Sequence, residues 1–118
     1  MKVFIYDKCD TCRKAVKFLN ERGIKSEFVA IRETPPTIAE LKRMLGYVGD
    51  IKRLFNTSGL DYKALNMTER LPKLTESEAL ALLAANGNLV KRPFALAKSR
   101  GTTGFKQDEW EAMVANDE

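Results

Sequence analysis

Apolar positions along the chain change between strand-like runs and helix-like spacing, and their order predicts the fold class. Residues 2–6, KVFIY, form a short β-branched and aromatic run that is typical of a buried strand. Over residues 10–22 the apolar side chains recur every three or four positions, which predicts an amphipathic helix that ends at Gly23. Residues 26–31, SEFVAI, predict a second strand. A strand, a helix and a strand in this order predict a right-handed crossover between two parallel strands.

The middle of the chain, about residues 37–87, predicts helices and carries no strand signal. Thr37 with Glu40, and Thr75 with Glu78, match the capping boxes that begin helices. Helical spacing of apolar residues recurs in four segments: 37–48, 51–55, 60–66 and 74–87.

Strand-like patterns return near the end of the chain. Residues 92–97 and 101–106 flank a short KSRG sequence, which suits a hairpin turn between antiparallel strands. Trp110, Met113 and Val114 then predict a final helix, with acidic residues in its first turn as the helix dipole favours. The whole pattern predicts an α/β fold, in which helices flank a mixed four-stranded sheet and a helical insertion separates a βαβ half from a ββα half.

Composition sets limits on the class of protein. The chain has 118 residues, enough for one domain over residues 1–118, and it is 44% hydrophobic and 31% charged. No apolar run is as long as a membrane span and the start lacks a secretory signal, so we expect a cytoplasmic protein with no membrane partner. The net charge of +4 suits an anionic substrate or a solvated lysine surface, and it does not indicate direct nucleic-acid binding. Nothing predicts an obligate dimer, so we expect a monomer.

The cysteines of the chain, Cys9 and Cys12, lie in the sequence YDKCDTCRKA directly after the first predicted strand. They could be a redox pair, half of a metal site, or one reactive thiol beside a structural residue. The chain has no histidine, so a zinc site would need two carboxylate ligands, and we expect no metal. A C-x-x-C sequence beside a βαβ pattern indicates a redox pair. Because no flavin or nicotinamide motif is visible, we expect no bound cofactor.

The position of the two cysteines on the first helix predicts different roles for them. Cys9 falls at the start of the helix, where free N–H groups, the helix dipole and the nearby Arg13 favour a thiolate. Cys12 falls one turn further along, on the apolar face, so we expect it to be less exposed. Cys9 is therefore predicted to attack and Cys12 to resolve, although core packing alone would also explain a cysteine at position 12.

The dipeptide Arg92–Pro93, in VKRPFAL, is the second candidate for chemistry. A proline that enters a strand beside a reactive cysteine is often cis. Arg92 would then stand near Cys9 and bind an anion through its guanidinium fork. The alternative is a surface arginine beside an ordinary trans proline.

The sequences YDKCDTCRKAVKFLNERGI and KRPFALAKSRGTTGFKQDEWEAM, with the helical stretch between them, resemble the ArsC/Spx family over about residues 2–114. This family is a branch of the thioredoxin-like fold. The resemblance implies a thioredoxin-like core with a helical insertion, and a cis proline at Pro93.

Within this family the arsenate reductases use one cysteine at the helix start, which corresponds to Cys9, and an arginine that corresponds to Arg13. Three further arginines bind the oxyanion; one corresponds to Arg92, and the other two positions hold Asn56 and Lys106. These replacements argue against arsenate as the substrate. Spx-type regulators carry the same C-x-x-C-R-K-A form as a redox switch and bind the RNA polymerase α subunit through a Gly-containing surface. Gly49 falls roughly at that surface, and the sequence ANDE replaces their basic C-terminal tail.

Together these observations predict a thiol–disulfide oxidoreductase that acts on a small thiol, a disulfide or an arsenate-like oxyanion. Cys9 would be the nucleophile, and Cys12, or glutathione, would resolve the intermediate. The residues predicted to bind the anion or substrate are Arg13, Arg92, Pro93 and Lys106. Glutathione, thioredoxin or glutaredoxin would be the external reductant. The alternative is an Spx-type redox regulator whose partner is the RNA polymerase α subunit.

Overall fold

The computed structural model describes residues 1–115. The predicted acidic end of the chain, residues 116–118, lies outside the described residues. Four strands occur within this range: β1 (Lys2–Ile5), β2 (Glu27–Ala30), β3 (Phe94–Leu96) and β4 (Gly101–Thr103). The α-helices of the same range are α1 (Asp10–Glu21), α2 (Ile38–Val48), α3 (Leu60–Ala64), α4 (Met67–Arg70), α5 (Glu76–Ala85) and α6 (Gln107–Ala115). Short 3₁₀ turns follow α2, α4 and α5, at Ile51–Leu54, Leu71–Lys73 and Gly87–Leu89.

The strands form one mixed sheet in the order β2-β1-β3-β4, which confirms the predicted fold class. β1 and β2 are parallel, as expected for strands that are joined through a helix, and β3 is antiparallel to both β1 and β4. The turn between β3 and β4 closes with a 2.8 Å hydrogen bond from the Ala97 N–H to the Arg100 carbonyl. In this register Phe4 lies opposite Phe94. The end of β1, from which the cysteine segment departs, therefore lies beside the start of β3, where Pro93 is found.

Helices cover both faces of the sheet and bury a separate apolar cluster on each. On one face α1 and α6 pack against β1 and β3, and Trp110 is fully buried there. The Trp110 Nε1–H donates a 2.9 Å hydrogen bond to the Gly104 carbonyl, which satisfies the polar edge of the buried ring. The helices of the insertion cover the other face, where Phe4 and Phe94 meet edge to face at 5.6 Å between ring centroids. The sheet thus lies between two packed layers of helices.

Both predicted capping boxes are present in the insertion. The Thr37 hydroxyl accepts from the Glu40 N–H at 3.2 Å, and the Glu40 carboxylate accepts from the Thr37 N–H at 3.0 Å. Thr75 and Glu78 make the same pair of bonds at 3.1 and 2.8 Å. Each box satisfies N–H groups that have no partner within the helix, so α2 and α5 begin where the sequence predicts.

Several predicted element ends differ from the structure, and three of the differences have a local reason. β3 begins at Phe94 rather than residue 92, since the buried Pro93 has no N–H to donate to a neighbouring strand. β4 ends at Thr103 rather than residue 106, because Gly104 takes a left-handed conformation with φ of 74°. α5 ends at Ala85 rather than Gly87, because Asn86 is extended and begins the following 3₁₀ turn.

The insertion contains one helix, α4, that the spacing of apolar residues does not predict. Ile38, which the pattern places on the apolar face of α2, is 46% exposed in the structure. None of the helices within residues 1–115 combines the length and apolar character that a membrane span requires.

Candidate active site

Cys9 is the N-cap residue of α1 and lies at the junction between β1 and this helix. Its backbone is extended (φ −100°, ψ 120°), its N–H donates to the Tyr6 carbonyl at 3.0 Å, and its carbonyl accepts from the Arg13 N–H at 3.0 Å. The side chain is a partly exposed free thiol. The sulfur therefore lies at the start of a helix, where a substrate can reach it.

Cys12 lies one turn into α1, faces the sheet, and is 1% exposed. Its Sγ accepts from the Tyr6 N–H at 3.5 Å, and its thiol is hydrogen-bonded to Cys9. The pKa of Cys12 is raised to about 12, mainly by burial and also by the contact with Cys9. The hydrogen bond from the Tyr6 N–H and the charge of Arg92 act in the opposite direction and lower this pKa. Cys12 therefore stays protonated at neutral pH, within reach of the sulfur it is predicted to attack.

Arg92 acts on Cys12 through its charge and is fixed by main-chain carbonyls. Its guanidinium donates to the carbonyls of Gly87, Asn88 and Val90 at 3.4, 2.9 and 3.4 Å. The peptide bond to Pro93 is cis, as predicted, and Pro93 is buried with its carbonyl accepting from the Gly104 N–H at 2.9 Å. The charge of Arg92 lowers the pKa of Cys12, so the structure brings these two residues into electrostatic contact.

Arg13 and Lys106, the other predicted binding residues, are both exposed. Arg13 is exposed, and its guanidinium donates to the Asp7 carbonyl at 3.1 Å and to the Asp10 carboxylate at 3.0 Å. Its charge is thus engaged by Asp10 on the same helix. Lys106 is exposed between β4 and α6 and lines a separate cleft together with Thr11. Arg13 lines a cleft together with Cys12, so the two residues line different clefts.

Tyr6 is a central residue of the site that sequence reasoning treated only as part of a strand. Its N–H contacts the Cys12 sulfur and its carbonyl accepts from the Cys9 N–H, so one residue positions both cysteines. Two arginines hold its ring: the Arg32 Nη1 donates to the Tyr6 hydroxyl at 3.0 Å, and the Arg92 Cζ lies 5.6 Å from the ring centroid. The available signal was an aromatic residue with a polar tip at the end of a strand, immediately before C-x-x-C.

The surroundings of Cys12 form a cleft of about 520 Å³ between β1 and α1. Its walls include Ile5, Tyr6 and Val16, so the buried thiol lies beneath a largely apolar surface. Within residues 1–115 no group of three or more histidine, cysteine, aspartate or glutamate side chains is placed to hold a metal ion. The arrangement supports thiol chemistry: a partly exposed sulfur at a helix start, a buried protonated sulfur in contact with it, and a fixed cation close by.

Comparison with known proteins identifies relatives along nearly the whole chain. "Uncharacterized protein YusI" of Bacillus subtilis is 46% identical over 107 residues, which are 90% of this chain and 91% of that protein. An arsenate reductase of Neisseria meningitidis is 29% identical over 116 residues, 97% of each chain. The global transcriptional regulator Spx of Streptococcus mutans is 27% identical over 98% of this chain and 83% of its own length.

Solved structures and a family profile agree with these relatives. A crystal structure of a putative ArsC family related protein from Bacteroides fragilis superposes with a TM-score of 0.90, at 42% identity over 95% of each chain. A possible arsenate reductase from Streptococcus mutans superposes with a TM-score of 0.85, at 31% identity over 93% of this chain and 96% of its own. The thioredoxin-like fold predicted from the sequence is thereby confirmed. The ArsC family profile matches residues 4–113, and the chain belongs to the ArsC family.

Proposed function

We propose that the protein is a cytoplasmic thiol–disulfide oxidoreductase in which Cys9 attacks and Cys12 resolves. The observation that carries the proposal is the contrast between two thiols in contact. Cys9 is partly exposed at the start of α1, whereas Cys12 is buried and has a pKa of about 12. Two cysteines that served packing alone would not need one sulfur at a helix start and the other hydrogen-bonded to it.

The first step is attack by the Cys9 thiolate on one sulfur of a disulfide. A new bond forms between Cys9 and that sulfur, the substrate disulfide breaks, and the second substrate sulfur leaves as a thiolate. Cys12 then gives its proton to water and attacks the Cys9 sulfur. The Cys9–Cys12 disulfide forms, the bond between Cys9 and the substrate sulfur breaks, and the other half of the substrate leaves as a thiolate. Two electrons pass from the protein dithiol to the substrate. An external dithiol or two monothiols, such as thioredoxin, glutaredoxin or glutathione, would reduce the protein again.

The contacts around Cys12 support this order of the two steps. In the reduced protein burial is the main reason that the pKa of Cys12 is high, and the contact with Cys9 adds to it. Once Cys9 is in a mixed disulfide it carries no charge, so its electrostatic contribution disappears while Arg92 still stabilises a Cys12 thiolate. Cys12 would therefore become a better nucleophile only after Cys9 has reacted.

The proposal is tested with Cys9→Ser and Cys12→Ser proteins and a mixed disulfide of glutathione, followed by acid quenching and mass spectrometry. Cys9→Ser should abolish turnover. Cys12→Ser should still react once and accumulate the adduct on Cys9, whereas the wild type should accumulate an intramolecular disulfide. Undiminished turnover by Cys9→Ser would reject the proposed nucleophile, and undiminished turnover by Cys12→Ser would assign the resolving step to an external thiol.

A second candidate is a redox regulator, because an Spx protein is 27% identical over 98% of this chain. In that case the Cys9–Cys12 disulfide would change a binding surface for the RNA polymerase α subunit. Gly49, which is exposed and ends α2 in a left-handed conformation, would lie on that surface. Purified α subunit should then bind the oxidised and reduced proteins with different affinities. Equal or absent binding in both states removes this candidate.

A further inference from the structure

A second cleft, of about 840 Å³, adjoins the cysteine segment at Thr11. This volume lies within the range of small-molecule sites, which is about 300–1,000 Å³. The walls come from segments far apart in the sequence, including the 3₁₀ turn after α2, the chain around α4, and residues 103–106 between β4 and α6. Its apolar lining residues are Ile51, Phe55, Tyr62, Leu71 and Phe105.

The charged groups around this cleft are mostly positive. Lys52, Lys91 and Lys106 line it, and within residues 1–115 none of the three takes part in an ion pair. Arg53 also lines the cleft but is paired with the Glu109 carboxylate at 3.2 Å. The acidic lining residue is Asp50, whose carboxylate accepts from the backbone N–H of Lys52 at 2.9 Å. The cleft therefore combines an apolar lining with an excess of positive charge, which suits an anionic ligand that has an apolar part.

The cleft is connected to the cysteine site through two residues. Thr11 lies between Cys9 and Cys12 in the sequence and lines the cleft. Lys91 precedes Arg92, and its side chain rests on Gly104, where an added Cβ would lie 3.3 Å from the Lys91 Cε. Neither cysteine lines the cleft, so a ligand whose sulfur is bound at Cys9 would have to pass Thr11 to reach the lysines.

Main-chain hydrogen bonds fix the walls of the cleft. The Lys91 N–H donates to the Leu54 carbonyl at 2.8 Å, and the Asn56 N–H donates to the Leu89 carbonyl at 2.7 Å. The Thr103 hydroxyl donates to the Arg53 carbonyl at 2.7 Å. These bonds join three separate segments, so the cleft is formed before a ligand enters and binding requires little reordering of the backbone.

We propose that this cleft binds the anionic and partly apolar arm of a small-molecule disulfide whose sulfur reacts at Cys9. This inference rests on the proposed function, because it assigns the class of substrate for the same cysteine. The ligand class is a low-molecular-weight disulfide that carries carboxylate or phosphate groups. A tetrahedral oxyanion alone would leave most of the 840 Å³ unfilled, and the concave shape favours a small molecule over an acidic protein surface.

The test measures the first step in Cys12→Ser protein, where attack by Cys9 releases one leaving thiol for each protein. The probes are the dianionic aromatic disulfide 5,5′-dithiobis(2-nitrobenzoate), the neutral 4,4′-dithiodipyridine, and a peptide disulfide flanked by aspartates. The cleft variant carries Lys91→Gln and Lys106→Gln. The control variant carries Lys25→Gln and Lys42→Gln, which remove the same charge from exposed positions outside the cleft.

The measured quantity is the rate constant for the dianionic disulfide divided by that for the neutral disulfide. We expect this ratio to fall at least about tenfold in the cleft variant and to stay within about twofold in the control, with the difference reduced at high salt. Equal ratios in both variants would overturn the inference. A loss confined to the aspartate peptide would also overturn it, in favour of an acidic protein partner. Failure of Cys9 to react with any probe would instead reject the proposed function.

Discussion

The buried thiol of Cys12 should react much more slowly than an ordinary cysteine, by an amount that follows from its surroundings. Burial raises its pKa from the ordinary 9.0 to about 12. Three pKa units reduce the thiolate population at neutral pH about 1,000-fold. The more basic thiolate is intrinsically more nucleophilic, with a Brønsted slope of about 0.4–0.5, which restores about 20-fold. Ionisation alone should therefore slow alkylation of Cys12 about 50-fold, before any effect of its 1% exposure.

The assay is the alkylation of Cys9→Ser protein by iodoacetamide, followed by mass spectrometry between pH 7 and about pH 10.5. The same protein unfolded in urea is the control, and circular dichroism confirms that the sample remains folded at each pH. In the folded protein the rate should go on rising with pH past pH 9, because burial, the largest cause of the raised pKa, remains when the smaller contributions of Cys9 are removed. The unfolded control should level off near pH 9. Steric protection lowers all rates in the folded protein equally, so the shape of the profile isolates ionisation. A plateau near pH 9 in the folded protein would refute the reasoning.

Three further predictions concern Arg92, the core and the start of α2. Arg92→Gln removes a charge that favours the Cys12 thiolate. The attack of Cys12 on the Cys9 mixed disulfide should therefore slow by up to about tenfold in quenched-flow mass spectrometry, with partial recovery in Arg92→Lys. An unchanged rate would contradict this role of Arg92. Leu80→Ala empties a fully buried position and should lower the free energy of unfolding in urea by about 2–5 kcal/mol, and a loss below about 1 kcal/mol would count against the packing described. Burial raises the pKa of Glu40, but hydrogen bonds, chiefly from the Thr37 N–H, outweigh it and hold the pKa below its ordinary 4.5. The ionised Glu40 therefore stabilises the fold above pH 4.5, and this stabilisation is lost as the pH falls through the lowered pKa. Glu40→Gln should lower Tm at pH 7 and have less effect at pH 3. An equal loss of Tm at both pH values would contradict this prediction.

Local sequence was sufficient to predict the different positions of the two cysteines. A helix that begins near residue 10 places Cys12 on the same face as Ala15 and Leu19, and all three are buried against the sheet. The same spacing leaves Cys9 at the helix start, where it is partly exposed. The capping boxes were predictable for a similar reason, since each depends on residues only three positions apart.

The contacts of Tyr6 could not be predicted in this way, because they join segments that are distant in the sequence. Arg32 and Arg92 approach one ring from two different loops, and no periodic pattern relates them. The cleft of about 840 Å³ could not be predicted for the same reason, since its walls come from five or more separate segments of the chain. Helical and strand periods describe how one element faces a core, whereas such sites depend on where separate loops meet.

Gly87 shows how the helical insertion contributes to the cysteine site. A Cβ at this position would lie 1.9 Å from the Ile31 carbonyl oxygen, so only glycine allows the chain after α5 to pass so close to the loop after β2. The carbonyl of the same residue accepts a hydrogen bond from Arg92, which acts on Cys12. The sequence pattern predicts that Gly87 ends a helix, but α5 ends at Ala85, and the close approach to Ile31 is the reason that position 87 requires glycine. Gly87 thus packs the insertion against Ile31 of the βαβ half and also holds the Arg92 guanidinium that acts on Cys12. In this way a residue 75 positions from Cys12 in the sequence contributes to the chemistry of its thiol.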